Sequence, residues 1–201
     1  MTPAAALDRG LGELGLQLPD GAQAKFLRYT QLLAKWNRTY NLTAVRDPLE
    51  MVPHHLLDSL AVIPHLPMED GLADVGSGAG LPGIPLAIAR PQWQVTLNDA
   101  SQKRTAFLRQ AAIELDLTNV AVHEGRVEAW RPANRFAVVI SRAFAELERF
   151  VARCRHLVRP GGVLAAMAGA APADNRTGEV IALRVPLLNA ARHLVLYRVE
   201  R

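Results

Sequence analysis

The stretch DVGSGAGLPGIP, residues 74–85, sets Asp74 two residues before Gly76 and adds glycines at 78, 80 and 83. Glycines at this density let a ligand approach the backbone closely, and three ligand classes compete for the loop. A phosphate-gripping loop needs Lys followed by Ser or Thr after its last glycine. Ile84 and Pro85 follow Gly83, so that reading fails. A dinucleotide pattern, G-x-G-x-x-G, is matched by Gly78, Gly80 and Gly83, but a lone match of this kind is weak. The pattern acid-x-G-x-G-x-G, opened by Asp74, suits S-adenosylmethionine. That molecule has no pyrophosphate, and a carboxylate at the strand end complements its cationic head. Pro82 reads as a helix-starting proline and not as part of a pyrophosphate cradle. Asp99, 25 residues after Asp74, can accept both hydroxyls of a ribose; on spacing alone it is equally a cap for the helix that begins at Ser101 and Gln102. The two acids and the glycines together favour S-adenosylmethionine.

The elements around these residues follow from period and punctuation. Residues 4–40 read as helical, with Phe26, Leu27, Tyr29, Leu32, Leu33 and Trp36 at helical spacing. DPLE, residues 47–50, is a helix start: a carboxylate cap, proline at the first position and glutamate three after the cap. Pro53 sits too deep for a regular helix and is expected to restart it as PHHLLDSLAVI. From residue 71 strands and helices alternate. GLADVG, QVTLND, VAVHE, FAVVISRAF and GGVLAAMAG read as strands, and PGIPLAIAR, SQKRTAFLRQAAIELD and ELERFVARCRHLV as helices. VIALRV and RHLVLYRV follow without a clear helix between them and predict an antiparallel edge hairpin. The fold class is therefore α/β: a mostly parallel, Rossmann-like sheet with right-handed crossovers. Ligands bind such sheets at the carboxyl ends of the strands, where the glycine loop lies. One core is expected overall, with residues 1–70 as a helical extension and 71–201 as the sheet unit.

Composition narrows the function classes. No apolar run approaches the roughly 20 residues of a membrane span, and MTPAAALDRG carries no export signal. The lone Cys154 can form neither an internal disulfide nor a thiolate cluster; a cytoplasmic protein is expected. Between residues 126 and 159 eight arginines face three glutamates, a local balance of +5 against +4 for the whole chain. Such a field favours a polyanion such as nucleic acid. His54 and His55 with Asp58 do not predict a metal site, since adjacent helical side chains diverge by about 100°. Trp36, Trp93, Trp130 and His193 read as structural.

NLTAVRDPLEM, HLLDSL, DVGSGAGLPGIPLAIARP, VTLNDASQKRTAFLRQ, GRVE, VVISRAF and RHLVLYR together make the chain resemble the small-subunit ribosomal RNA methyltransferase G family, also called glucose-inhibited division protein B. The resemblance runs nearly unbroken from Trp36 onwards. It implies a class I methyltransferase with a seven-stranded sheet and a helical extension, acting on 16S ribosomal RNA of the small subunit. The reaction it implies is methyl transfer from S-adenosyl-L-methionine to guanine N7, by a monomer with no metal and no membrane partner. Carried onto this chain, it puts Gly76 and Leu81 on the cofactor, supported by Asp74 and Gly78. Asp99 would hold the ribose, and Val127 and Glu128 would flank the adenine. Arg142 would stand where target and methyl donor meet, as a catalytic and cofactor-binding residue that grips a phosphate, the guanine O6 or the cofactor's carboxylate, with Ser141 as the catalytic candidate beside it. Asn41, Arg46, His55 and Arg126 would face the RNA.

The residue inventory agrees with that chemistry. Guanine N7 has an in-plane lone pair and no proton, so its methylation needs positioning and not a general base. The Asn-Pro-Pro-aromatic motif of exocyclic-amine methylation is absent, and Cys154 falls in a helix outside any motif for attack on a pyrimidine carbon. Three positions depart from the family: Ala168 stands in place of a lysine, His54 in place of an arginine, and the connection from Gly169 to Val180 is short.

Overall fold

An apolar run that must be buried on both faces becomes a strand inside a parallel sheet, and LADV does so as β1 (Leu72–Val75), every residue of it buried. A computed structural model describes residues 1–67, 71–142, 147–171 and 178–200. Six more strands follow: β2 (Val95–Asp99), β3 (Val120–Glu124), β4 (Phe136–Ser141), β5 (Val158–Ala168), β6 (Glu179–Leu183) and β7 (Arg192–Arg198). Their order across the sheet is β3-β2-β1-β4-β5-β7-β6. The first five are parallel, whereas β7 is antiparallel to both β5 and β6. The hairpin expected at the edge therefore forms, with β7 slotted inside it and β6 outermost.

Helices α5 (Gly83–Ala89), α6 (Gln102–Glu114) and α7 (Leu147–Cys154) cross between strands. All seven residues of α5 are buried. A helix that is apolar all round needs cover on every side; the sheet supplies one side and the N-terminal helices the other. Those helices are α1 (Pro3–Leu14), α2 (Ala22–Tyr40), α3 (Pro48–Met51) and α4 (Asp58–Leu60). Their apolar faces share one buried cluster with the sheet, from Leu7 and Phe26 to Leu97 and Leu196. The other face of the sheet is closed by Trp130, Phe150, Cys154 and Leu157.

Two expectations are corrected here. The helix over 4–40 is two helices, because Gly15 takes the left-handed conformation (φ 62°) and ends α1, and Gly21 (φ 76°) precedes α2. Pro53 does not restart a helix. It lies in a π-helical stretch, Val52–Leu57, between α3 and α4, where the Asp58 N–H reaches Pro53 O five residues back. Widening the turn absorbs a residue that has no N–H and whose ring crowds the carbonyl behind it. Positions 143–146 and 172–177, over which the sequence predicts a strand end, a helix start and most of a loop, lie outside the described residues.

Candidate functional site

Where β1 ends, Gly76 and Gly78 take positive φ (67° and 58°), and these two are the only half-exposed residues between Asp74 and Gly83. The turn is closed beneath them. Ser77 N–H donates to Asn98 O (3.0 Å), Ser77 Oγ donates to Asp74 O (2.7 Å), and the Gly80 and Leu81 N–H groups donate to Ser77 O. From α2, Tyr29 Oη donates to Ala79 O at 2.7 Å, so the helical extension braces the loop directly. Asp74 is 0% exposed. Its Oδ2 accepts the N–H of Gly83, the first residue of α5, at 2.9 Å, while Oδ1 has no partner among the described residues. Asp74 thus acts on the loop and on α5 from below and does not face a ligand. Leu81 also leaves the open face. Its side chain is buried in the core because its backbone is drawn into the turn.

Asp99 ends β2 beside this loop and is 4% exposed. Its Oδ2 accepts the Gly78 N–H (3.0 Å) and its Oδ1 the Ser101 N–H (2.8 Å), with Arg104 Nη1 3.4 Å from Oδ2. It therefore caps the approach to α6 and ties down the glycine loop at once. A carboxylate has about four lone-pair positions, which leaves acceptor capacity for hydroxyls. Asn98, one residue earlier, donates to His123 O and Gly125 O and so fixes the turn that follows β3. Val127 and Glu128 form a single 3-10 turn just beyond. Val127 is buried, whereas Glu128 is exposed and pairs with Arg153 at 3.3 Å.

On the other side of β1, Ser141 is buried and its Oγ donates to Val75 O (2.8 Å), stitching β4 to β1. Arg142 Nη1 donates to His54 O (3.0 Å) and lies 3.4 Å from Asp58 Oδ2. The second Asp58 oxygen, Oδ1, accepts from Arg192 Nε at 3.1 Å. Burial pushes the Asp58 carboxyl upward, and the two guanidiniums pull the other way. Asn41, Arg46 and Arg126 are exposed. His55 is not. It is 4% exposed, with Nε2 2.9 Å from Thr43 Oγ1, and it positions the 41–46 segment from inside. Burial first, then the charge of Arg142, lowers its pKa to about 4, so it brings no positive charge toward an RNA at neutral pH.

Asp74 and His55 titrate in opposite senses. Burial raises Asp74 to about 7, so between its ordinary value near 4 and pH 7 the folded chain holds a proton that the unfolded chain has released. That part of the stability falls as pH rises. His55 does the reverse between about 4 and its ordinary 6.5: the unfolded chain holds the extra proton, and stability rises with pH. Replacing Asp74 by asparagine removes only the falling part. Urea unfolding at pH 4.5 and 6.5 is expected to show the variant gaining about 2 kcal/mol on the parent across that interval. A constant difference between the two proteins would place Asp74 in the ordinary carboxylate range.

A family model described as rRNA small subunit methyltransferase G matches residues 22–189. The chain belongs to this family. Ribosomal RNA small subunit methyltransferase G of Burkholderia thailandensis is 50% identical, covering 95% of this chain and 89% of its own length. The protein of that name from Methylobacillus flagellatus is 51% identical, over 94% and 95%. Among solved structures, a glycopeptide N-methyltransferase complexed with S-adenosyl-L-homocysteine aligns with a TM-score of 0.50 at 17% identity, covering 72% of this chain and 64% of its own. A protein of echinomycin biosynthesis, solved for the conversion of a disulfide bond into a thioacetal group, aligns at 0.51 and 16% identity, over 71% and 81%. These likenesses concern the fold: the seven-stranded sheet with its antiparallel last strand is the methyltransferase fold.

In this member of the methyltransferase G family the arginine-rich stretch does not make one surface. β4 carries the chain about 20 Å across the sheet, so Arg135 before it and Arg142 after it stand at opposite ends. Arg155 and Arg159 precede or open β5 and lie at the end away from the glycine loop. The cation that joins Arg142 at the ligand edge is Arg192, which sequence reasoning left unassigned. The signal was available in the expected antiparallel hairpin: a strand running against its neighbours begins at the edge where they finish. Pairing of Ala168 with His193 puts Arg192 there. Among the described residues no group of three or more His, Cys, Asp or Glu could hold a metal, and no helix is long and apolar enough to cross a membrane.

Proposed function

We propose that this chain transfers a methyl group from S-adenosyl-L-methionine to N7 of a guanine in the 16S ribosomal RNA of the small subunit. The observation that carries the reading is the 50% identity, over 95% of the chain, to a protein named ribosomal RNA small subunit methyltransferase G. The site's own geometry fits the cofactor. Gly78 has no neighbour closer than Gly76 O, at 3.8 Å, to the place a Cβ would occupy, so the loop leaves an open backbone cradle at the sheet's ligand edge. Gly76 and Gly78 would carry the methionine end, Asp99 the ribose, and Val127 with Glu128 the adenine, whose exocyclic amine backbone groups there can read. Asp74 and Leu81 would serve by shaping the turn.

The cofactor supplies an electrophilic methyl group on a cationic sulfur. The chain's share is to align guanine N7 with the methyl–sulfur bond, hold both partners in place and keep water out. S-adenosylmethionine, held by Gly76, Gly78 and Asp99, would supply its methyl group to the N7 lone pair and keep the bonding electron pair on sulfur, and the base would take the positive charge. No proton moves, so the reaction needs no poised base. His55 is buried, and burial pushes the Cys154 thiol up to about 12. Arg142 would contact the substrate from the β4 side, with Ser141 holding the strand that carries it. Asn41, Arg46 and Arg126 would meet RNA phosphates. We read the protein as a monomer, and as cytoplasmic because its proposed substrate is the ribosomal subunit. Residues 1–70 are read as an extension that supports both loop and RNA.

The test is transfer of labelled methyl from S-adenosylmethionine to small subunits from cells lacking this enzyme, followed by digestion and mass spectrometry. Label on one guanosine as 7-methylguanosine is expected, and Arg142→Ala should lose about 100-fold or more in rate, roughly 3 kcal/mol of transition-state stabilisation. Label on another base, or none from protein that binds the cofactor, overturns the reading.

A further inference from the structure

At the carboxyl ends of β4 and β5 lies an open pocket of about 290 Å³ lined by Asp58, Arg142, Met167, Ala168, Gly169 and Arg192. Met167, Ala168 and Gly169 line it together with the two arginines and Asp58. Each guanidinium is fixed by a different oxygen of the buried Asp58, Arg192 through Nε at 3.1 Å and Arg142 through Nη1 at 3.4 Å. Arg142 is held a second time by His54 O, and Arg192 Nη1 donates to Ala191 O. Among the described residues the Nη2 groups of both arginines have no hydrogen-bond partner. The arginine side chains keep 29% and 23% of their surface exposed, and Asp58 keeps 3%. One carboxylate against two guanidiniums leaves a net positive pocket whose arms are immobilised before any ligand arrives. Preorganised guanidinium forks of this kind match phosphate oxygens.

We propose that this pocket seats a phosphodiester group of the substrate RNA next to the target base, gripped by Arg142 and Arg192 together, with Asp58 as the residue that positions both. The proposal rests on the reading of the protein as a ribosomal RNA methyltransferase. Sheet geometry separates Arg192 from the cofactor's carboxylate. Arg192 lies on β7, three strands from β1, or about 14 Å at the usual spacing, and on the side opposite Asp99. The reacting base is a poor occupant for a different reason. Methylation at N7 makes the ring cationic, so two arginines against it would oppose the reaction, whereas against a phosphate they do not.

The experiment compares wild type, Arg192→Ala and Arg192→Lys in three assays. These are methylation of small subunits from cells lacking the enzyme, binding of unmethylated 16S rRNA at 50 to 200 mM KCl, and affinity for S-adenosylhomocysteine. For Arg192→Ala, kcat/KM for subunits is expected to fall at least tenfold, mainly through KM. The salt slope of rRNA binding should drop by a little under one, as for one lost phosphate contact. Affinity for S-adenosylhomocysteine should stay within twofold. Arg192→Lys should recover the salt slope but only part of KM, since it restores the charge without the fork. An equal loss of S-adenosylhomocysteine affinity would assign the arginine to the cofactor. A fall in kcat alone, or no change in KM and slope, would remove the phosphate from the pocket. Wild type that binds rRNA with a normal salt slope but methylates nothing would sink the methyltransferase reading and leave the binding comparison to decide the pocket.

Discussion

Asp99→Ala is expected to weaken binding of S-adenosylmethionine by at least 100-fold. Its carboxylate would accept two ribose hydroxyls, and hydrogen bonds to a charged group are worth about 1.5–3 kcal/mol each. Two of them correspond to roughly two to four decades in affinity. The same substitution strands the Gly78 and Ser101 N–H groups, which now point at Oδ2 and Oδ1, so the loop loses its tether as the ligand loses its partner. Asp99→Asn separates the two roles. It keeps one acceptor for a backbone N–H but cannot serve two hydroxyls and two N–H groups together. Isothermal titration with S-adenosylhomocysteine is expected to rank the parent far above Asn and Asn above Ala. Unchanged affinity in the alanine variant, with a lowered melting temperature, would leave Asp99 as a cap alone.

Gly83→Ala should destabilise the chain's ligand edge through a single methyl. A Cβ there would run into Leu97 Cδ2 and stand 2.8 Å from Asp74 Oδ2 and 3.0 Å from Asp74 Cβ. Neither neighbour can retreat: Leu97 is fully buried on β2, and Asp74 is fully buried and bonded to the Gly83 N–H itself. Overpacking of this kind costs about 3 kcal/mol, against roughly 1 kcal/mol gained by alanine over glycine in a helix. A net loss near 2 kcal/mol lowers the melting temperature of a chain this size by about 4–8 °C. Gly78→Ala is the comparison: its Cβ would meet nothing closer than 3.8 Å, and its strain comes only from φ 58°. Equal melting temperatures for Gly83→Ala and the parent would mean that helix and strand are not closely packed there.

The alternation of elements from residue 71 was legible because each strand is an apolar run between turn residues and each crossover helix has its own start and stop. The glycine loop and Asp99 were legible from residue type and spacing. What spacing could not decide was whether Asp99 caps a helix or faces a ligand, and the reason is now physical: its two oxygens already serve both the turn and the loop. The break at Gly15 was missed because apolar periodicity continues across it and only the left-handed backbone reveals the stop. Pro53 was read by its ordinary effect in an α-helix, and the neighbouring turns absorbed it by widening. His55 follows the half-buried His54 and looks like it in sequence; only packing against Thr43 shows that it turns inward. The arginine-rich window misled because nearness along the chain is not nearness across a sheet. Arg142 and Arg192, 50 residues apart, share one carboxylate.

The position of β7 also governs the order in which the molecule can be completed. It is the last of these seven strands in chain order, yet it lies between β5 and β6 and pairs with both. Until it emerges, β5 presents a free edge of backbone donors and acceptors, and β6 has no strand to join. An unpaired edge of that kind is a template for association with other chains. Translation that stalls shortly before residue 192 therefore leaves a nearly finished sheet with its stickiest edge exposed and its second arginine missing. Such a nascent chain acquires its substrate edge only when those residues arrive.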